Sequence, residues 1–298
     1  MTTRRFHRVA VLMGGVSAER EVSLASGTAV LNGLREAGYD VVGVDVKTRE
    51  AAIPAGVEAV FIALHGEFGE DGEVQALLDR RGIPYTGSGA KASHAAFDKA
   101  ISKRILAEHG IPTPAYELLR QGDRRGLPLP VVTKPICQGS SIGVHRVPRE
   151  SDWDAAIRDT LAYGPEAMIE AYVDGRELTV GVVGEEALPV IEIEVPGGWY
   201  DYGAKYTKGK SLHHVPAPIE TEVARRCQAL AVSAFQVLGC RGMGRVDFRL
   251  STAGELFVLE LNNIPGFTAT SLLPDAAASA GIRFPELCDR IISLATTG

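Results

Sequence analysis

The sequence predicts an α/β protein that changes to α+β in its C-terminal part. Three observations carry this. Over residues 1–87 short β-rich runs alternate with helix-patterned segments, the grammar of a parallel sheet covered by helices. From about residue 176 strands follow one another through tight turns, which makes that part antiparallel. Residues 244–266 then read as a hairpin whose second strand runs into Asn262-Asn263-Ile264-Pro265-Gly266. The expected segments are 1–87, 88–175 and 176–298.

In the first segment, Arg8 to Met13 is a short strand that stops at Gly14-Gly15. Val22, Leu24, Ala25, Ala29, Val30, Leu31 and Leu34 follow near helical spacing, and Gly38 is placed to end that helix. Asp40 to Val46 and Ala59 to Leu64 are the next strands. Parallel α/β sheets bind ligands beyond the carboxyl ends of their strands. Glu19 and His65 fall at such ends. As an acid in a helix's first turn, Glu19 complements the dipole, and the sequence alone favours that reading. Its functional reading is a carboxylate for a substrate ammonium. His65, at a strand end before glycine, reads as structural or as ligand-facing. Gly14-Gly15 lacks the third glycine of G-x-G-x-x-G, which excludes a Rossmann dehydrogenase. Gly66 to Gly72 reads as a flexible acidic loop before a helix over Val74 to Leu78, and Tyr85 to Gly89 as a boundary.

In the middle segment, Lys91 to His109 reads as one helix that ends at Gly110, with Lys99 a solvated surface lysine by default. Pro130 to Pro135 is a strand carrying Lys134. Gln138 to Val144 follows, rich in glycine and small hydroxyls that let backbone N–H groups close on an anion. No Gly-Lys-Ser/Thr opens a helix, so this is not a Walker A loop; a β-hairpin loop over a triphosphate fits better. Lys134 beside it supplies a point charge for phosphate. Asp152 to Leu161 is a helix, and Ala167 to Val173 a strand that presents Glu170 and backbone groups to an adenine edge.

In the last segment, strands over Glu177 to Val183 and Leu188 to Ile193 flank a Gly184-Glu185-Glu186 turn. Trp199 to Tyr206 is an aromatic loop with Lys205, either a purine cap that reaches a phosphate or an amphipathic surface loop. Val223 to Leu238 is an amphipathic helix before the hairpin. In the hairpin, Glu260 and Asn262 share a face, because side chains alternate with period two. A turn near Ala253 and Gly254 sets Asp247 opposite Glu260. Like charges facing each other across a ladder are destabilising unless a cation or neutral group intervenes. Asp247, Glu260 and Asn262 offer only hard oxygens, which suit Mg²⁺ better than zinc. The alternative is an exposed hairpin with solvated acids.

Composition narrows the function classes. The chain has 298 residues, 45% hydrophobic and 23% charged, as expected of a soluble globular protein with two or three domains. A net charge of −6 argues against nucleic acid or anionic membrane as partners. The four cysteines, Cys137, Cys227, Cys240 and Cys288, have no Cys-x-x-Cys spacing and read as reduced thiols of a cytoplasmic enzyme. No apolar run reaches membrane-spanning length, and Val9 to Met13 is too short for a signal segment.

Taken together, these blocks resemble the D-alanine–D-alanine ligases of the ATP-grasp superfamily over nearly the whole length. The resemblance rests on Gly14 to Ser23, Ala63-Leu64-His65-Gly66, Tyr85 to Gly89, Lys134-Pro135, Gly139 to Gly143, Tyr200-Asp201-Tyr202 with Lys205-Tyr206, Gly244 to Asp247, Glu260-x-Asn262-x-x-Pro265-Gly266, and Ser271-Leu272. It implies an ATP-grasp fold and ATP-dependent joining of two D-alanines, through an acyl phosphate, for peptidoglycan precursors. It also implies Mg²⁺ (with Mn²⁺ as a substitute) and a homodimer.

Position by position, it implies that Lys99, Lys134 and Lys205 contact ATP phosphates. Glu170, Val173 and Glu177 hold adenosine, with Trp199 and Leu259 against the base. Asp247, Glu260 and Asn262 bind Mg²⁺. Glu19 anchors the first D-amino acid with His65 nearby, and Ser140 links Glu19 to Tyr206 in a closing lid. Arg245 and the Gly266 N–H stabilise the oxyanion, while Ser271 and Leu272 hold the second carboxylate. The chain departs from the family at Gln138, where a glutamate is usual, at Ala171, where a lysine is common, and at Asn263-Ile264 and His213-His214. A ligase for another amino-acid pair and a silent nucleotide-binding protein remain the alternatives.

Overall fold

The computed structural model describes residues 4–195, 211–268 and 270–298. Its N-terminal part contains β1 (Arg8–Gly14), α1 (Arg20–Glu36), β2 (Asp40–Val46), β3 (Ala59–Ile62) and α2 (Glu73–Arg80). The three strands form a parallel sheet in the order β2-β1-β3, as the alternation of strand and helix predicts. Gly38, at φ +88°, follows α1 and lets the chain reverse into β2. Helix α1 lies close on β1: a Cβ on Gly27 would stand 2.3 Å from Met13 Cβ.

The middle part contains α3 (Ala90–Phe97), α4 (Lys99–Glu108), β4 (Tyr116–Arg120), β5 (Val131–Pro135), β6 (His145–Val147), α5 (Trp153–Thr160) and β7 (Glu166–Ala171). The four strands form an antiparallel sheet in the order β4-β7-β5-β6. Helix α5 covers it through a core that includes Leu119, Val131, Ala156 and Ile169. The expected single helix over Lys91 to His109 is two helices. Asp98 is extended at ψ 106°, and its carboxylate accepts the Ile101 N–H at 2.9 Å, capping α4. Such a cap stabilises a helix start by ~1 kcal/mol. The break puts Lys99 at the first turn of α4, where its backbone N–H donates to the Ile136 carbonyl.

The last part contains β8 (Gly175–Val183), β9 (Glu186–Ala187), β10 (Ile191–Glu194), β11 (Leu212–His214), α6 (Thr221–Val237), β12 (Met243–Ser251), β13 (Leu256–Asn262), α7 (Leu272–Ser279) and α8 (Phe284–Ser293). The strands run β11-β10-β8-β12-β13, with β9 paired to β8. Helix α6 packs on one face of this sheet through Cys227, Ala231, Ala234 and Phe235, against Val246, Phe248 and Val258. Helix α8 folds back on α1 and β3, while α7 lies against β8, where Leu273 stands over Gly181; Leu272, Leu287 and Ile291 join the core of Val11, Phe61 and Ile62. Tyr85, expected only at a boundary, is buried and bridges both Val60 and Thr296.

Candidate active site

The face of the large antiparallel sheet turned away from α6 carries the polar row that the hairpin pattern predicts. Asp247 lies opposite Glu260 and Arg245 opposite Asn262, so all four project to one side. Directly across on β8, Thr179 lies beside Asp247 and Glu177 beside Arg249. After Asp247 the register shifts, with Phe248 paired to Val258 and Leu259 left over. This bulge lets both Leu259 and Glu260 line the same cleft, while Val258 stays in the core.

That cleft, of roughly 780 Å³ with its mouth, lies between the two antiparallel sheets. Lys134, Glu170, Ala171 and Val173 come from one wall, and Glu177, Asp247, Leu259 and Glu260 from the other. Lys99 and the glycine loop, through Gln138, Gly139 and Ser141, complete it. Lys99 is not a solvated surface lysine: it is only 8% exposed. Its ammonium donates to the Gln138 carbonyl at 2.7 Å and stands 3.6 Å from Glu260. Because the contact uses a backbone carbonyl, the glutamine side chain at this position leaves it untouched. The loop itself bends through Ser140 at φ +53° and Ser141 at φ +59°. Non-glycine residues held there cost ~1–3 kcal/mol each, a strain that clusters at functional sites.

Glu170 is buried, and its carboxylate is gripped by two lysines, Lys103 on one oxygen and Lys134 on the other. Burial alone raises a carboxyl, but the two ammonium groups outweigh it and hold Glu170 below its ordinary value. Burial likewise pulls Lys134 down, yet the Glu170 and Glu260 carboxylates outweigh that and raise it.

Asp247 is buried and accepts four hydrogen bonds. Arg245 donates to both its oxygens at 2.9 Å, Thr179 Oγ1 donates at 2.6 Å and Asn262 Nδ2 at 2.9 Å. The acids therefore face each other with a cation at each: Arg245 for Asp247 and Lys99 for Glu260. Solvated, exposed acids do not describe this hairpin. Among the described residues no group of three or more His, Cys, Asp or Glu side chains could hold a metal. The oxygen set is two carboxylates and the Asn262 amide, whose carbonyl remains for a cation once its N–H serves Asp247. Two carboxylates plus substrate oxygens suit Mg²⁺ rather than zinc, so the residues fit that ion.

A second pocket, roughly 770 Å³ with its mouth, adjoins the cleft and shares Gly139 with it. It is lined by Glu19, His65, Glu70, Ser140, Arg245, Asn262, Gly266, Ser271 and Leu272, among others. Glu19 stands at the start of α1 and accepts a hydrogen bond from Ser140 Oγ, which ties the glycine loop to the N-terminal sheet. His65 is buried, with Nε2 3.2 Å from Ser26 Oγ and Nδ1 3.9 Å from Glu70. Ser26 Oγ also accepts the Phe267 N–H at 3.2 Å. Phe267 is fully buried against Phe61, ring centres 5.3 Å apart, and such burial stabilises by ~1.5–3 kcal/mol. This anchor carries Gly266 and Ser271 to His65. Ser271 precedes α7, and its Oγ accepts the Thr268 N–H at 2.9 Å.

The stretch Gly66 to Gly72 is a built loop, not a flexible one. Phe68 is buried, Asp71 accepts the Phe68 N–H at 2.7 Å, and Asn263 Nδ2 donates to the Glu70 carbonyl at 3.0 Å. Glu70 Oε2 accepts the Gly66 N–H at 3.0 Å. Burial holds the Glu70 carboxyl above its ordinary value. Sequence reasoning missed Glu70, Ser26, Thr179 and Lys103. Lys103 had a usable signal, standing four residues after Lys99 and hence on the same helix face. Trp199, Lys205 and Tyr206 lie outside the described residues.

Two sheets closing on a nucleotide-sized cleft, lysines on one side and paired acids on the other, define an ATP-grasp enzyme. Family models described as the D-ala D-ala ligase N-terminus and C-terminus match residues 46–88 and 105–293. The chain belongs to the D-alanine–D-alanine ligase family. It is 50% identical to the D-alanine–D-alanine ligase of Desulforudis audaxviator, over 97% of this chain and 98% of that one. With the ligase of Methylacidiphilum infernorum it shares 46% identity, over 96% and 94%. The crystal structure of D-alanine–D-alanine ligase from Bacillus anthracis superposes with a TM-score of 0.86 at 32% identity, covering 97% of both chains. The same enzyme complexed with ATP gives 0.84 at 30% identity, again over 97% of both. No helix among the described residues is long and apolar enough to cross a membrane.

Proposed function

We propose that this chain joins two D-alanines to D-alanyl-D-alanine at the expense of ATP, for peptidoglycan precursor synthesis. The observation that carries this is the junction. One row of the hairpin faces both chambers, with Asp247 and Glu260 lining the cleft and Arg245 and Asn262 lining the second pocket. Reacting groups from a nucleotide and an amino acid would meet along that row.

A carboxylate resists attack by an amine because its leaving group would be oxide. Phosphoryl transfer from ATP converts it to an acyl phosphate; the second amine then attacks the acyl carbon, and phosphate leaves as the amide bond forms. Lys99 and Lys134 supply positive charge where the phosphates would lie, and the strained glycine loop supplies backbone donors. Asp247, Glu260 and Asn262 would hold Mg²⁺, which when bound neutralises charge on the transferring group. In the second pocket, Glu19 would take the first ammonium. The α7 N-terminus with Ser271 and Leu272 would take the second carboxylate, since unpaired N–H groups and the helix dipole favour an anion there. Arg245 and the Gly266 N–H flank the site where the tetrahedral oxyanion would form.

Gln138 and Ala171 line the nucleotide cleft and not the second pocket, so they do not argue for a different amino-acid pair. The test is to incubate the protein with ATP, Mg²⁺ and single or paired D- and L-amino acids, following ADP and peptide. D-alanine should stimulate ADP release and yield the dipeptide. Stimulation by another pair alone, or ATP binding with no amino-acid-dependent release, overturns the reading.

A further inference from the structure

Lys103 is a cation that the proposed chemistry leaves unused. It is 1% exposed and lines neither the cleft nor the second pocket. Its ammonium nevertheless meets groups from three separate parts of the chain. It pairs with Glu170 on β7, donates to Thr113 Oγ1, and lies 3.5 Å from the Val258 carbonyl on β13. Thr113 Oγ1 donates to that same carbonyl at 2.9 Å. Val258 is the last regular residue before the bulge that turns Leu259 and Glu260 into the cleft. One buried ammonium is thus tied to both walls: to the strand that carries Glu170 and to the bulge that carries Leu259.

A buried ion pair is weak grounds for assigning a role in stability. Replacing a buried ion pair by well-packed apolar groups is often neutral or stabilising, because the desolvation of the charges offsets their attraction. What the pair supplies is geometry. With Lys103 on one oxygen and Lys134 on the other, the Glu170 carboxylate is held at both ends. We propose that Lys103 is a positioning residue for nucleotide binding, holding Glu170 toward the edge of the base and the Val258–Leu259 bulge against its face. The proposal rests on the ATP reading above.

Titration gives it a signature. Glu170 faces Lys103 from β7, Lys134 from β5 and Glu260 from β13, and Lys99 stands one turn away on α4. Burial dominates and lowers Lys103 to about 8, despite the nearby Glu170. Lys134 is raised and keeps its charge. As pH rises through about 8, Lys103 loses its proton and its hold on Glu170, so nucleotide affinity should fall.

The experiment is ATP titration at constant Mg²⁺ without amino acid, from about pH 7 to about pH 9.5, on wild type and Lys103→Met. Wild-type affinity should fall about tenfold across that range, the size of one charge-assisted hydrogen bond. Lys103→Met should already be about tenfold weaker at neutral pH and show no further fall. In turnover, its KM for ATP should rise while kcat and the KM for D-alanine stay within about twofold. A folded Lys103→Met with wild-type KM for ATP and an unchanged pH profile overturns the proposal. Should that variant not fold, the wild-type profile decides, and a flat affinity overturns it. Wild type that binds ATP but makes no dipeptide would sink the ligase reading while leaving this test intact.

Discussion

The cleft proposed for the nucleotide is walled by strands of two sheets, whereas the pocket proposed for the amino acids adds loops and helix starts to the Arg245–Asn262 end of the hairpin. In the cleft, charges come paired: Lys99 with Glu260, Lys134 with Glu170, Arg249 with Glu177 at 3.6 Å. In the pocket, Glu19, His65, Gly266 and Ser271 arrive from segments far apart in the chain and are held by Ser26, Ser140 and the Phe267 anchor. Each construction suits its occupant. A rigid wall of compensated charges accepts the same large anion every turnover. A pocket of separate loops can be adjusted piece by piece to the size and handedness of a small zwitterion.

Substitutions put that contrast to the test. The largest effect should come from Arg245→Ala, because Arg245 belongs to both regions: it lines the pocket and braces Asp247 in the cleft. Its kcat for dipeptide formation should drop by ~10²–10³, as for loss of one oxyanion donor, with the melting curve showing a folded protein. A drop of under about threefold would mean the two chambers do not meet along this row.

Glu260→Gln should act on the cleft alone. The Mg²⁺ concentration for half-maximal ADP release should rise ~10–100-fold, with the KM for D-alanine little changed. Ser271→Ala is the mirror image. It removes the hydroxyl that orders Thr268 before α7, and the KM for the acceptor D-alanine should rise about tenfold while the KM for ATP does not move. A rise in both constants would show the regions to be mechanically coupled.

The smallest effect concerns Glu70, the largely enclosed acid of the pocket. Its carboxyl is raised above the ordinary 4.5, first by burial. The folded state therefore holds that proton more tightly than the unfolded chain. The stabilisation is complete below the ordinary value and is lost as pH rises through the raised one. Glu70→Gln should flatten this loss, raising the melting temperature at neutral pH on the order of 2 °C. An equal decline with pH in both proteins would show that Glu70 carries no such cost.

The Asp247–Glu260 pairing was legible because strand alternation and a short turn are local. Two neighbouring strands with a known turn have little freedom of register, and the pattern Arg-x-Asp against Glu-x-Asn leaves one match. Lys99 was legible only by resemblance. Its own surroundings read as surface helix, and its burial follows from the break at Asp98 and from groups on β13 and the glycine loop. The stretch around Glu70 misled for the opposite reason: acidic and glycine-rich composition marks flexibility unless distant residues such as Asn263 tie it down.

From the residues alone came the parallel and antiparallel halves, the hairpin with its facing acids, and the family, since each depends on short-range periodicity or on blocks in order. Three-dimensional packing was needed to establish which charges are compensated, that α8 returns to the N-terminal sheet, and that Lys103 links both walls of the cleft. Those outcomes turn on burial and on contacts between segments distant in sequence, and no local pattern records which far-off side chain will close around a given charge.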